Sequence, residues 1–258
     1  MTARHNCLRS ARNCKSLGWS RTELDNKNVC PARRADTRQF ATQWPLRSRE
    51  SSMELLQPRE GYRFTTDSLA LANAVQIASS ESLLDLCSGC GVIPIFIGVR
   101  SPFRSAIAVE LDEELACFAR LNISRYQLDE KIHVLQADVR KLTSEAFKDL
   151  PPSFRPAYFD VITGNPPYWP TGQGRLNPDF RKALARHETS LTLCELVRAA
   201  RQLLKPGGRF YLTHLDARRS EILAELAGRG LRCVRIETVP GQKARRILLE
   251  ATLGSASL

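Results

Sequence analysis

No apolar run in the 258 residues is long enough to cross a bilayer, and the amino terminus lacks the uninterrupted apolar core of a secretory signal. A soluble, cytoplasmic protein with no membrane partner is therefore expected. Suitable cysteine spacing is also missing. Cys7, Cys14 and Cys30 stand far apart, and Cys87, Cys117, Cys194 and Cys233 lie in apolar stretches. Neither a disulfide framework nor a zinc site is expected, and no metal. Cys87 and Cys90 form a C-x-x-C, which read alone allows a thioredoxin-like redox pair; free thiols in a reducing compartment are the expectation. Negative charge is short as well, leaving a net +11, an imbalance that usually marks a polyanionic partner or a basic tail.

The charge is unevenly placed. Residues 1–52 hold eleven Lys and Arg against four acids, so most of the excess lies ahead of Met53, and nucleic acid is permitted by charge without being required by it. That segment has no sustained period of 3.6 or 2, and Trp19, Phe40 and Trp44 are isolated. It reads as a disordered basic extension. A transit peptide, or a chain whose true start is Met53, would have the same composition. Residues 53–258 form the single expected domain.

From residue 54 the pattern is regular. "GYRFTTDSLALANAVQIA" opens with turn and cap residues and continues with helical spacing. Seven apolar runs of strand length follow, at 82–87, 105–111, 131–137, 158–164, 209–215, 232–239 and 245–253. Helical stretches separate most of them, notably 113–126, 188–204 and 217–228. Such alternation predicts a mostly parallel sheet with helices on both faces. The last two strands have no helix between them, so one is expected to run antiparallel.

In sheets of this kind ligands bind beyond the carboxyl ends of the strands. The first predicted strand ends in "DLCSGCG", which supplies Asp85, Gly89 and Gly91; glycines there let the backbone approach a ligand at a helix amino terminus. Glu110 follows 19 residues after Gly91, at the end of the second strand, where a carboxylate can accept both ribose hydroxyls of a nucleoside cofactor. Asp138 ends the third, in reach of an adenine amino group. Asp112 to Glu114 read instead as helix-start acids. The fourth strand, "FDVITG", stops at "NPPYW" (165–169), because prolines cannot donate to a sheet ladder.

Acids ending three successive strands, with glycines after the first, resemble the class I methyltransferases that bind S-adenosylmethionine. The resemblance covers residues 54–253. It implies a Rossmann-like α/β fold with a seven-stranded, mostly parallel sheet and one antiparallel strand. It also implies S-adenosylmethionine as cofactor, on Asp85, Gly89, Gly91, Glu110 and Asp138. "NPPY" resembles the signature of amino-methyltransferases acting on adenine N6, guanine N2 or glutamine N5. An exocyclic adenine amine is a poor nucleophile because its lone pair is spread into the ring. The resemblance implies that the Asn165 side-chain oxygen and the Pro166 carbonyl accept its two protons, that Pro167 stiffens the loop, and that Tyr168 gives an extruded base a face to stack on.

"GYRFTTDSLALA" (61–72), "NPPYW", "ARHE" (185–188) and "ARRILLE" (244–250) together look like the bacterial tRNA adenine-N6 methyltransferase family that modifies valine tRNA beside the anticodon. That family implies tRNA as partner, and a monomer is expected. It makes Phe64 and Thr66 candidate cofactor contacts, with Asn165, and Trp169 and Arg186 candidate substrate contacts, with Tyr168; His187 braces the loop. Cys87, Ser88 and Cys90 depart from the Thr or Gly usual there. A ribosomal guanine-N2 enzyme, a release-factor glutamine-N5 enzyme and a non-catalytic RNA-binding protein of the same fold stay open as alternatives.

Overall fold

A computed structural model of the chain describes residues 35–40, 53–58, 64–154, 158–166, 191–239 and 245–254. In chain order the elements are β1 (Ala35–Phe40), β2 (Met53–Pro58), α1 (Thr66–Ala74), β3 (Ser82–Leu86), α2 (Val92–Arg100), β4 (Ser105–Glu110), α3 (Glu113–Arg125), β5 (Ile132–Gln136), β6 (Phe159–Gly164), α4 (Leu193–Leu203), β7 (Leu204–Leu215), α5 (Arg219–Ala227), β8 (Leu231–Val239) and β9 (Arg246–Leu253). Every residue of β3 and β4 is buried, as a strand covered on both faces requires.

The main sheet has seven strands in the order β5-β4-β3-β6-β7-β9-β8. β3, β4, β5, β6 and β7 pair parallel, and β9 runs antiparallel to both of its neighbours. This is the seven-stranded sheet with one antiparallel strand expected from the sequence. Alternation along each strand sends side chains to two separate cores. Ala106 and Ala108 of β4 join α1, α2 and α3 on one face, while Ile107 and Val109 join α4 and α5 on the other.

Two differences from the sequence reading concern element ends. α4 begins at Leu193 and not at 188, because Thr192 and Glu195 form a capping box: each side chain accepts the other's backbone N–H, at 3.3 and 2.8 Å. β7 begins at Leu204 and not at 209, reaching through "KPGG" to pair Leu204 with Phe159 across a register shift in the β6 pairing.

Within the segment expected to be a disordered extension, residues 35–40 form β1, which pairs antiparallel with β2, Phe40 opposite Met53 and Ala35 opposite Pro58. The remaining residues of that extension lie outside the described residues. β2, also unassigned in the sequence reading, is fixed to α3 by side chains that imitate a neighbouring strand. Asn122, fully buried, accepts from the Leu56 N–H at 2.8 Å and donates to the Leu56 carbonyl at 2.9 Å and the Cys90 carbonyl at 3.0 Å. The Tyr126 hydroxyl does the same for Glu54, accepting at 2.8 Å and donating at 3.1 Å. A buried backbone group left unpaired costs about 1–3 kcal/mol. Asn122 thus ties β2, α3 and the loop after β3 into one unit.

Candidate active site

The sheet order reverses between β3 and β6. The chain runs outward from β3 to β4 and β5, then returns to place β6 on the other side of β3. Open α/β sheets have their crevice at such a point. Because Leu86 of β3 pairs with Gly164 of β6, the loop starting at Cys87 and the turn starting at Asn165 emerge side by side. The glycine-bearing stretch and the beginning of "NPPYW", 74 or more residues apart in sequence for every pair of residues between them, are neighbours for that reason.

The loop after β3 is sharply turned. Cys87, Gly89 and Gly91 all have positive φ, at 62°, 57° and 82°. A Cβ at Gly91 would lie 3.1 Å from Ile95 Cδ1 and 3.3 Å from Ala119 Cβ, so close packing of α2 on α3 and a left-handed backbone both favour glycine there. Gly91 caps α2 without a side-chain bond, leaving first-turn N–H groups directed at the crevice.

Glu110 ends β4 and is 9% exposed. Its two oxygens accept from the backbone N–H of Gly89 at 2.7 Å and of Asp112 at 2.9 Å. Burial raises its pKa, and these backbone donors pull the other way. It clasps the loop after β3 to the end of β4, a structural duty invisible in the sequence.

Asp85 lies within β3, fully buried, and accepts from the Thr163 hydroxyl of β6 at 2.6 Å. Burial pushes its pKa up to about 7, against the pull of the Thr163 and Ser88 hydroxyls; the charge of Glu110 adds to the rise. Oδ2 of Asp85 and Oγ of Ser88 are buried without a hydrogen bond of normal geometry. Such atoms at a strand's carboxyl end fit a ligand that brings its own hydrogen-bonding groups.

Asp138 stands two residues beyond β5. It caps a short 3-10 turn and takes the Arg140 guanidinium at 2.6 to 3.0 Å, and this side-chain bond holds its pKa below the usual carboxylate value. A ligand reaching Asp138 must share it with Arg140. Phe64 is buried in the first core, and Thr66 is exposed at the start of α1.

Asn165 is 8% exposed and Pro166 is buried beside it. The Thr213 hydroxyl of β7 donates to Asn165 Oδ1 at 2.7 Å, and Asn165 Nδ2 donates to Ser68 Oγ of α1 at 2.8 Å. Neither partner is marked in the sequence: Ser68 stands inside "GYRFTTDSLALA" with no signal of its own, and buried threonines in strands leave no periodic signal. Pro167, Tyr168, Trp169, Arg186 and His187 lie outside the described residues.

The C-x-x-C is not built for redox chemistry. Cys87 and Cys90 are free, and burial lifts the Cys87 thiol well above its ordinary value and the Cys90 thiol to about 12, the reverse of a reactive thiolate. Among the described residues no group of three or more metal-ligating side chains is assembled, and no helix is long and apolar enough to cross a membrane.

No family model matches the chain. Relatives do. A tRNA1(Val) (adenine(37)-N6)-methyltransferase of Tolumonas auensis is 31% identical over 199 residues, covering 75% of this chain and 77% of the relative. The protein of that description from Aeromonas hydrophila is 31% identical over 193 residues, covering 73% and 76%. Among solved structures, TrmN from Thermus thermophilus is 24% identical with a TM-score of 0.51, over 72% of this chain and 48% of that one. The M. jannaschii tRNA m1G37 methyltransferase is 10% identical with a TM-score of 0.53, over 78% and 54%. This chain thus spans about half the length of each of these two structures, which share its fold. With the Rossmann-like sheet of the class I methyltransferases in place, and identity of this extent over three quarters of the sequence, the chain belongs to the tRNA1(Val) (adenine(37)-N6)-methyltransferase family.

Proposed function

We propose that the protein transfers the methyl group of S-adenosylmethionine to the exocyclic N6 of an adenine in tRNA, and that this adenine lies beside the anticodon of valine tRNA. The observation that carries the reading is the meeting, at the β3/β6 crevice, of a loop clasped by Glu110 and a carboxamide held by Thr213 and Ser68. The donor supplies an electrophilic methyl group on a sulfonium. Glu110 accepts from its ribose hydroxyls, the loop 87–91 approaches it through backbone, and Asp85 faces its cationic amino-acid end. Phe64 and Thr66 lie on the segment entering α1, over the same crevice, and Asp138 takes the adenine end together with Arg140.

Asn165 Oδ1 and the Pro166 carbonyl accept the two protons of the target amine as its nitrogen pyramidalises. A carboxamide oxygen accepts two hydrogen bonds, so the bond from Thr213 and one from the amine are compatible. This is positioning and electrostatic assistance with no covalent intermediate. Tyr168 and Trp169 offer faces to an extruded base, and Arg186 meets phosphate.

The direct test incubates the protein with labelled S-adenosylmethionine and separated tRNA, rRNA and protein fractions and identifies the methylated product. N6-methyladenosine in tRNA, in the valine tRNA above all, is the expected result. N2-methylguanosine or methylglutamine would move the protein to another amino-methyltransferase activity.

A pH dependence follows from Asp85. Burial holds its pKa at about 7 in the folded protein, far above the ordinary carboxylate value, so the folded state retains a proton that the unfolded chain gives up. Ionising Asp85 in the unliganded protein therefore opposes folding, and this contribution to stability is lost as pH rises from about 4 to about 7. A cationic ligand prefers the ionised form. Donor affinity should tighten as pH rises toward 7 and level off above it, with Kd weaker by roughly tenfold at about pH 6 than on the plateau. Calorimetric titration across this range checks it. Asp85→Asn should flatten the profile; an unchanged slope in that variant would place the titrating group elsewhere.

A further inference from the structure

We propose that Thr213 and Ser68 are positioning residues for methyl transfer, holding the plane and location of the Asn165 carboxamide, and that the Asp67–Arg246 pair anchors the helix carrying Ser68. The inference rests on the reading of Asn165 as the acceptor for the target amine.

The terminal torsion of asparagine is soft, so a carboxamide at the end of a strand sweeps a wide range unless both ends are tied. Here they are tied from two directions. Thr213, fully buried in β7, donates to Oδ1 at 2.7 Å, and Ser68, buried in the first turn of α1, accepts from Nδ2 at 2.8 Å. The two partners lie 48 and 97 residues away in sequence, so the bonds report tertiary placement and not local turn chemistry. A group that must meet a pyramidalising nitrogen loses rate steeply with sub-ångström misplacement, and that makes its orientation a catalytic matter.

Ser68 holds Asn165 only if α1 itself is fixed. Asp67, 1% exposed, accepts from Arg246 Nε at 3.3 Å and from the Thr65 hydroxyl at 3.1 Å. Arg246 begins β9 and faces Leu215 of β7, two residues beyond Thr213. Ser68 of α1 and Thr213 of β7 thus meet at the Asn165 carboxamide, and Arg246 of β9 reaches it only through Asp67 and α1. α1 and β9 brace the Asn165 carboxamide from outside the β3/β6 turn.

The test compares Thr213→Val, Thr213→Ser, Ser68→Ala and Asn165→Ala in the full chain, measuring single-turnover methylation of unmodified valine tRNA at saturating donor, donor Kd by calorimetry, and thermal melting. Thr213→Val, which keeps the shape and removes the hydroxyl, should slow the methyl-transfer step by about tenfold with donor Kd within about twofold of wild type. Thr213→Ser restores the hydroxyl and should recover most of that loss. Ser68→Ala, which also carries the test if Thr213→Val fails to fold, should slow the same step, and the double variant should approach Asn165→Ala. Equal losses in Thr213→Ser and Thr213→Val would reduce Thr213 to packing and overturn the proposal. So would wild-type rates in Thr213→Val and Ser68→Ala beside a slow Asn165→Ala, an outcome that leaves the acceptor role of Asn165 standing. A wild-type rate in Asn165→Ala would remove that role itself.

Discussion

Asn165→Ala should lower methyl transfer by about a hundredfold or more while the Kd for S-adenosylmethionine barely moves. In the proposed reaction the oxygen's bond to the target amine strengthens as the nitrogen pyramidalises, so its loss would fall on the transition state more than on either bound ground state. The structure adds a second expectation. Asn165 bridges Ser68 and Thr213, both buried, and its removal leaves each hydroxyl one partner short. A buried polar group deprived of a partner costs about 1–3 kcal/mol, so a lower melting temperature should accompany the kinetic loss. The two effects are separable. Single-turnover rates measured well below the variant's melting point report chemistry alone, and a rate near wild type there would make "NPPYW" a turn with no part in the reaction.

The inner strands β3 and β4 were legible because burial on both faces demands continuous apolar runs. "SLLDL" and "SAIAVE" cannot be read as surface segments, and helical stretches between such runs force parallel pairing. β1 and β2 were not legible for the opposite reason. "ADTRQF" has no apolar period, and "MELLQP" is held by Asn122 and Tyr126, whose contacts lie 66 to 72 residues away. No local pattern encodes a strand whose neighbour is a side-chain carboxamide on a helix.

The site divides along similar lines. Asp85, Glu110 and Asn165 could be named as candidates because position at or near a strand's carboxyl end, next to glycine or proline, is readable in one dimension. Their partners were not. Thr163 and Thr213 look like ordinary strand residues, and only the register of β6 with β3 and the adjacency of β7 bring their hydroxyls to Asp85 and Asn165. Asp138 shows a subtler limit: its place near the end of β5 was anticipated, whereas its capture by Arg140, two residues on, depends on side-chain conformations that spacing alone does not choose.

Glu110→Ala should weaken the binding of S-adenosylmethionine by roughly ten- to a hundredfold, the value of a charge-assisted pair of hydrogen bonds, about 1.5–3 kcal/mol. Two routes lead to that loss. The carboxylate accepts from ribose in the proposed complex, and in the protein by itself it accepts from the Gly89 and Asp112 N–H groups at 2.7 and 2.9 Å, holding the loop in shape. Ligand chemistry distinguishes them. S-adenosylhomocysteine keeps the ribose and lacks the sulfonium charge, so an effect through ribose should weaken it by the same factor as the donor. A 2′-deoxyadenosyl analogue has already lost one ribose hydroxyl and should be less sensitive to Glu110→Ala than its ribose counterpart. If the mutation instead acts by loosening the loop, the ribose and deoxyribose ligands should lose affinity alike, and melting should fall with the orphaned Gly89 N–H. Unchanged affinity for all three would put the ribose elsewhere and end the assignment of β4 as the strand that reads it.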